Sequence, residues 1–256
     1  MYKFPRYLLS LLMLPLTTAM LQAQVVTFQS GEQKNLLIEL YTSQGCSSCP
    51  PAEHLLSTLM DSDKLWQSYF PIALHVNYWN YLGWSDTYSN ALSNERQQQH
   101  FKRSNTSNVY TPQFVIDGSE WRGFFRSAPL PNLPNQSSGQ LKLQLDTGAN
   151  TADMTLTNLS QDIPAYCHFA LLSFDPEVAI TAGENSGLTL AQDFALLSLT
   201  TSAAEFKNNQ FICKAQLAKL DETIASTSKT SKQAIVGWIA TQGHQPIQVT
   251  GGWLTP

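Results

Sequence analysis

The segment Gly45-Cys46-Ser47-Ser48-Cys49-Pro50-Pro51 follows the apolar run Leu36 to Tyr41 (LLIELY) and constrains the chain more than any other stretch. Proline has no N–H to give a helix interior, so two in succession predict the first turn of a helix starting near Ser47 or Ser48. Cys46 then sits at a helix N-terminus, where unpaired N–H groups and the helix dipole favour a thiolate, the form that attacks disulfides. Cys49, one turn further in, is placed to resolve a mixed disulfide, and two intervening residues let the sulfurs close a small exchangeable ring. Two other readings stand beside this one. The pair is an inert structural disulfide, or it is half of a zinc site, for which no second close Cys or His pair supplies the remaining ligands.

The cysteines must be read with the compartment in mind. Lys3 and Arg6 precede an apolar run from Tyr7 to Leu16, with small residues following at Ala19 and Ala23, the order of a secretory signal. The expectation is a cleaved segment over residues 1–23 and a periplasmic or secreted protein with no membrane span in the rest, the run being short for a bilayer. An uncleaved anchor is the alternative, because Leu21 is bulky where a small residue is usual. Either way all four cysteines meet an oxidising environment. Their spacing favours Cys46 with Cys49 and, by elimination, Cys167 with Cys213.

Composition excludes several classes. With 43% hydrophobic and 13% charged residues the chain is too apolar for disorder. A net charge of −4 lacks the concentrated positive charge that nucleic acid requires, so nucleic acid is not an expected partner. No Gly-rich phosphate loop, paired catalytic carboxylates or serine-nucleophile elbow occurs, and no cofactor is expected.

Before residue 127 the patterns read β-α-β-α-β-β: strands at Leu36 to Tyr41 and Pro71 to Tyr78, a helix over Ala52 to Met60, and an exposed, Gln-rich helix over Thr87 to Arg103. A hairpin then runs from Gln113 to Ile116 and Ser119 to Phe124 around the turn pair Asp117-Gly118. Residues 127–139 (SAPLPNLPNQSSG) read as a Pro-rich linker. Beyond them the period becomes two at Leu141, Leu143 and Leu145 and at Met154 and Leu156, followed by apolar-rich runs at Tyr166 to Phe174, Phe211 to Leu217 and Ala234 to Ala240. The polar stretch Thr223 to Lys232 reads as a loop. The expected architecture is an α/β domain over 24–126 and an antiparallel β-sandwich-like domain over 140–256.

Other residues bear on the cysteines. Glu39 lies in an apolar strand, where burial raises a carboxyl pKa and suits it to exchange a proton with the resolving thiol; on an edge strand it faces water instead. Thr111-Pro112 opens a strand, where a cis proline leaves the Thr111 backbone free to pair with an extended peptide. The block His75, Tyr78, Trp79, Tyr81 and Trp84 lines a peptide groove or anchors core and loops. His54 and His75 with the two cysteines would make a Cu(I) site, the basis of a non-catalytic or copper-handling alternative. Cys167 shares strand parity with Phe169 and Leu171, and Cys213 with Phe211 and Ala215, so both point inward as a structural disulfide.

Strand, CxxC at a helix start, later strand and Thr-Pro before a hairpin together resemble the thioredoxin superfamily. The runs ELYTSQGCSSCPPAEHLL, HVNYWNYLGWSD and VYTPQFVIDG are similar to the signature blocks of the secreted domain of unknown function 1223 family, with GENSGLTL after Ala182 as a weaker fourth. The resemblance implies a thioredoxin-like N-terminal domain, Cys46 as nucleophile, Cys49 as resolving cysteine and Pro112 as a facing cis-proline. It also implies partners among protein or peptide thiols and disulfides, with a redox partner not identified. Ser-Ser between the cysteines, Gly45 before them and the absence of a helix after the hairpin depart from thioredoxins. Family membership implies a fold more firmly than a reaction.

Overall fold

The computed structural model describes residues 25–158, 163–218 and 232–254. The expected signal segment over 1–23 lies outside the described residues, as does the polar stretch from Thr223 up to its last residue, Lys232. No helix among the described residues is long and apolar enough to cross a membrane.

The first half carries strand β1 (Val25–Gln29), β2 (Leu36–Thr42), helix α1 (Pro50–Ser57), β3 (Tyr69–His75), α2 (Ala91–Lys102), β4 (Gln113–Ile116) and β5 (Ser119–Trp121). The second carries β6 (Gln140–Asp146), β7 (Thr151–Thr157), β8 (Ala165–Ala179), β9 (Thr189–Ala203), β10 (Glu205–Lys207), β11 (Gln210–Gln216), β12 (Lys232–Thr241) and β13 (Pro246–Trp253). The local order expected for residues 36–121 is present. Asp117 and Gly118 take φ of 52° and 77° in the β4–β5 turn, the positive angles that a tight hairpin needs.

The assembly of these elements corrects the expected fold class. The chain does not form an α/β thioredoxin-like N-terminal domain followed by a separate sandwich. Among the described residues it is mostly strand, with two α-helices, in two sheets. The larger sheet has eight strands in the order β13-β12-β8-β9-β3-β2-β4-β5 and so runs through both halves. The seam is β9 against β3, parallel at Ala195 and Ala73. The smaller sheet, β1-β6-β7-β11-β10, recruits its first strand from before β2. Period-two patterns described β6 and β7 well, but no local signal announces a parallel pairing between segments more than a hundred residues apart.

Residues 127–139, expected as a linker, lie against the large core. Leu130 and Leu133 pack on it, Tyr69 Oη donates to the Pro131 carbonyl at 3.0 Å, and Lys34 N donates to the Gln136 carbonyl at 2.9 Å. The large sheet also curls. Asn35, just before β2, donates through Nδ2 to the Val249 carbonyl of β13 at 3.0 Å, although four strands separate β2 from β13 in the sheet order.

Two cores result. Leu141, Leu143, Leu145, Met154 and Leu156 of the small sheet meet Phe169, Leu171, Ile235 and Ile239 of the large one. The other core gathers β2, β3, β4, α1 and the opposite faces of β8, β9 and β12 around Phe70, Phe114, Phe174, Phe194 and Trp238. Strand β2 is buried at every residue, as a central strand covered on both faces must be. Its Thr42 side chain meets α1 through Glu53, and its Glu39 side chain meets α2 through Arg96. An odd separation along a strand sends these to opposite faces.

Candidate functional site

The chain leaves β2 through a turn over Gln44 to Ser48 before α1 begins at Pro50. The helix therefore starts later than the prolines alone suggest. Cys49, not Cys46, is the residue at its N-terminal boundary, and Cys49 N donates to the Cys46 carbonyl at 3.1 Å to close the turn. Prolines occupy the first two helical positions, where no N–H is needed. The helix dipole accordingly acts first on Cys49, and Cys46 draws its polar contacts from elsewhere.

Cys46 and Cys49 are bonded through sulfur, with Cα atoms 5.4 Å apart. Cys49 is fully buried, Cys46 is 3% exposed, and Ser47 and Ser48 between them face solvent. Thr111 Oγ1 donates to Cys46 Sγ at 3.3 Å and itself accepts from Trp79 Nε1 at 2.7 Å. Ser48 Oγ lies 3.4 Å from the same sulfur. The Thr111–Pro112 peptide is cis. Of the aromatic block, Trp79 thus acts on Thr111, while Tyr81 stacks on Trp79 and is 76% exposed.

The other half of the chain closes over this turn. Residues 180–188 join β8 to β9 and carry the GENSG run. Glu184 Oε2 accepts from Ser47 N at 3.1 Å, and that bond lowers the Glu184 pKa. Asn185, buried, donates through Nδ2 to the carbonyls of Gln44 at 2.8 Å and Cys46 at 3.0 Å. Sequence reasoning did not assign these two residues. The only signal for them was the likeness of the GENSG run.

Beneath the turn lies a buried polar set. Asp86 Oδ2 accepts from Gln44 N and is bonded to His75 Nδ1, each at 2.8 Å. Burial pushes the His75 pKa down, but the Asp86 carboxylate outweighs it and the net shift is upward. Glu53, one turn after Cys49 in α1, accepts from Thr42 Oγ1 at 2.6 Å. Burial raises its pKa despite His75 nearby.

Neither reading of Glu39 holds in full: it is buried rather than facing water, yet its pKa is lowered rather than raised. Burial alone would raise it, but the Arg96 guanidinium and then His100 hold it well below the usual carboxylate range. Its carboxylate receives Arg96 Nε at 2.5 Å and Nη2 at 3.2 Å, and Tyr41 Oη at 3.1 Å. Helix α2, expected to be exposed, buries Arg96, Gln97 and His100. Cys46, Cys49, Thr111 and Pro112 come together, Glu39 is committed to α2, and Glu53 is a buried carboxyl of α1 whose pKa burial raises.

The copper arrangement is not built. His54 is exposed, and His75 commits Nδ1 to Asp86. Among the described residues no group of three or more His, Cys, Asp or Glu side chains is arranged to hold a metal. Cys167 and Cys213 lie in the core between the sheets, on β8 and β11, bonded with Cα atoms 6.3 Å apart.

The family described as "Protein of unknown function (DUF1223)" matches residues 37–240. No curated protein matches the chain. Among solved structures, protein AGR_C_4864 from Agrobacterium tumefaciens is similar over 88% of this chain and 96% of that one, with 20% identity and a TM-score of 0.55. HBP35 of Porphyromonas gingivalis is similar over 87% of this chain and 76% of that one, with 14% identity and a TM-score of 0.56. At these identities the likeness shows the fold alone, and it spans both halves of the chain.

Proposed function

The chain belongs to the DUF1223 family of proteins of unknown function, and we propose that Cys46 and Cys49 are a redox-active pair exchanging disulfides with protein or peptide thiols. The observation that carries this reading is the asymmetry of the two sulfurs. Cys49 is sealed, whereas Cys46 sits at the edge of an exposed Ser-Ser turn with a hydroxyl donor aimed at its sulfur. A hydrogen bond to sulfur stabilises a thiolate, and access decides which sulfur is attacked.

In the oxidised protein an incoming thiolate attacks Cys46 Sγ. The new S–S bond forms as the Cys46–Cys49 bond breaks, and its electron pair leaves on Cys49 as a thiolate. A second thiolate of the client then attacks the client sulfur, so the client gains a disulfide and Cys46 leaves as a thiolate. Every step is reversible, and a client disulfide attacked by Cys46 is reduced by the same sequence run backwards. Thr111 stabilises the charge on Cys46. Glu53, one turn after Cys49 in α1 and with its carboxyl pKa raised by burial, is the group we assign to exchange a proton with Cys49. Cysteines in exchangeable and core disulfides accord with a periplasmic or secreted location.

The test is trapping. Cys46→Ser should abolish reaction with oxidised glutathione, and Cys49→Ser should accumulate a mixed disulfide on Cys46, visible in the intact mass and located by peptide mapping. Trapping on Cys49 in the Cys46→Ser protein would reverse the roles. A wild-type bond that excess dithiothreitol cannot reduce without denaturant would make the pair structural and end the proposal.

A further inference from the structure

Helix α2 does not lie flush on the sheet. Its Leu92, Arg96, Gln99 and Arg103 side, spaced at three or four residues and so on one helical face, borders a cleft of about 390 Å³. His168 of β8, Thr201 of β9 and His244 of the β12–β13 turn are among the residues facing them. This volume is at the small end of ligand pockets, which run from about 300 to 1,000 Å³. Nothing in the exchange reaction uses the cleft.

Its floor is built and only partly satisfied. Arg96 spends Nε and Nη2 on Glu39, which compensates its charge, and Nη1 on His244 Nδ1 at 3.1 Å. A guanidinium only donates, so His244 Nδ1 accepts and its proton resides on Nε2. Burial and then Arg96 bring the His244 pKa down to about 3, leaving a neutral N–H donor. His168, 5% exposed, pairs Nδ1 with Thr201 Oγ1 at 2.9 Å and stacks on Trp238, and its Nε2 has no partner among the described residues.

The charge of the cleft is polar end to end. Arg103 is fixed at the C-terminal end of α2 by Nε on the Gln242 carbonyl at 3.0 Å and Nη1 on the Gln99 carbonyl at 3.4 Å. Among the described residues Nη2 has no partner, and it is left for an incoming group. Glu95 borders the cleft two turns earlier, about 12 Å along the helix axis at 1.5 Å per residue. Leu92 and Tyr166, both partly exposed, and Leu199 supply apolar wall.

We propose that this cleft binds a small organic monocarboxylate, its anionic end held by Arg103 and His244 and its apolar body laid on Leu92, Leu199 and Tyr166. Glu95 at the far end disfavours a second carboxylate there. Arginine–carboxylate hydrogen bonds are charge-assisted and about twice as strong as neutral ones, so an amide of the same shape binds more weakly.

The test uses the full chain and the imidazole NMR signals of its five histidines, titrated with benzoate, hexanoate, their neutral amides and adipate, which is hexanoate with a second carboxylate at its far end. Hexanoate or benzoate should shift His168 and His244 saturably while His54 and His75 stay fixed. The carboxylates should bind about tenfold or more tighter than the amides, and adipate more weakly than hexanoate. Arg103→Gln, at an exposed position, should erase the preference for carboxylate over amide. Absence of a shift at about 10 mM monocarboxylate, well above a millimolar Kd, overturns the proposal. So do equal affinity for acid and amide in the wild type, and a preference that survives Arg103→Gln.

Discussion

Arg96→Met should destabilise the protein by about 3–5 kcal/mol, the cost of leaving a buried carboxylate without its partner. Glu39 is 1% exposed and Arg96 4%, so neither can turn to water. The arginine is also a three-way tie, on Glu39 of β2, on His244, and over the Trp238 ring of β12 at 5.1 Å. Urea unfolding should show a midpoint lower by about 1 M or more. Replacing both partners, Glu39→Leu with Arg96→Met, should recover much of the loss, because two apolar side chains leave no charge to desolvate. A loss below about 1 kcal/mol in the single variant, or a double variant no better than the single, would sink the account. The pair also sets an acid limit. The folded pKa of Glu39 lies below its unfolded value of about 4.3, so its contribution is fully present above that pH and is lost as pH falls through the folded pKa. The Arg96→Met protein should therefore lose this part of the wild type's acid sensitivity.

Replacing Cys167 and Cys213 together by Ala should cost up to about 4 kcal/mol by the chain-entropy estimate for a loop of this size. The bond joins β8 of the large sheet to β11 of the small one across their shared core, a separation of 46 residues. At this chain length the loss corresponds to roughly 10 °C in Tm. Exchange at Cys46 should be nearly unaffected, since the hydrogen bonds to its sulfur among the described residues come from Ser48 and Thr111, neither of which touches the second disulfide. Calorimetry and the glutathione reaction on one preparation separate the outcomes. Lost exchange in a folded variant would mean the two pairs communicate, and an unchanged Tm would mean the bond holds nothing.

Strands and turns whose reasons are local were legible in the sequence. The β2 run, the Asp117-Gly118 turn and the alternation of β6 and β7 each follow from neighbours a few residues away. Helix α2 was misread because its hydrophobicity is low and the rule equating polar with exposed fails when a polar face meets a compensating charge. That charge, Glu39, is 57 residues distant. The cysteine turn was legible as a bonded pair but not in its surroundings. Glu184 and Asn185 act on it from 137 to 141 residues downstream, and no period or spacing reports such a partner. The prolines placed the start of α1 two or three residues early and could not show that a separate turn intervenes between Cys46 and its first residue, Pro50.

The clasp of Glu184 and Asn185 over the turn has a consequence in time. Contacts this far apart in sequence form slowly, because the chain entropy of closing the loop is lost before the contact stabilises anything. A growing chain displays Cys46 and Cys49 well before residues 180–188 exist, and longer still before β12 supplies the last neighbours of β8. During that interval the two cysteines are the closest pair available to each other, separated by three positions, whereas Cys167 must wait for Cys213. Early closure of the short ring therefore removes two competitors for the later, longer bond. The order in which the chain is made thus favours the native connectivity.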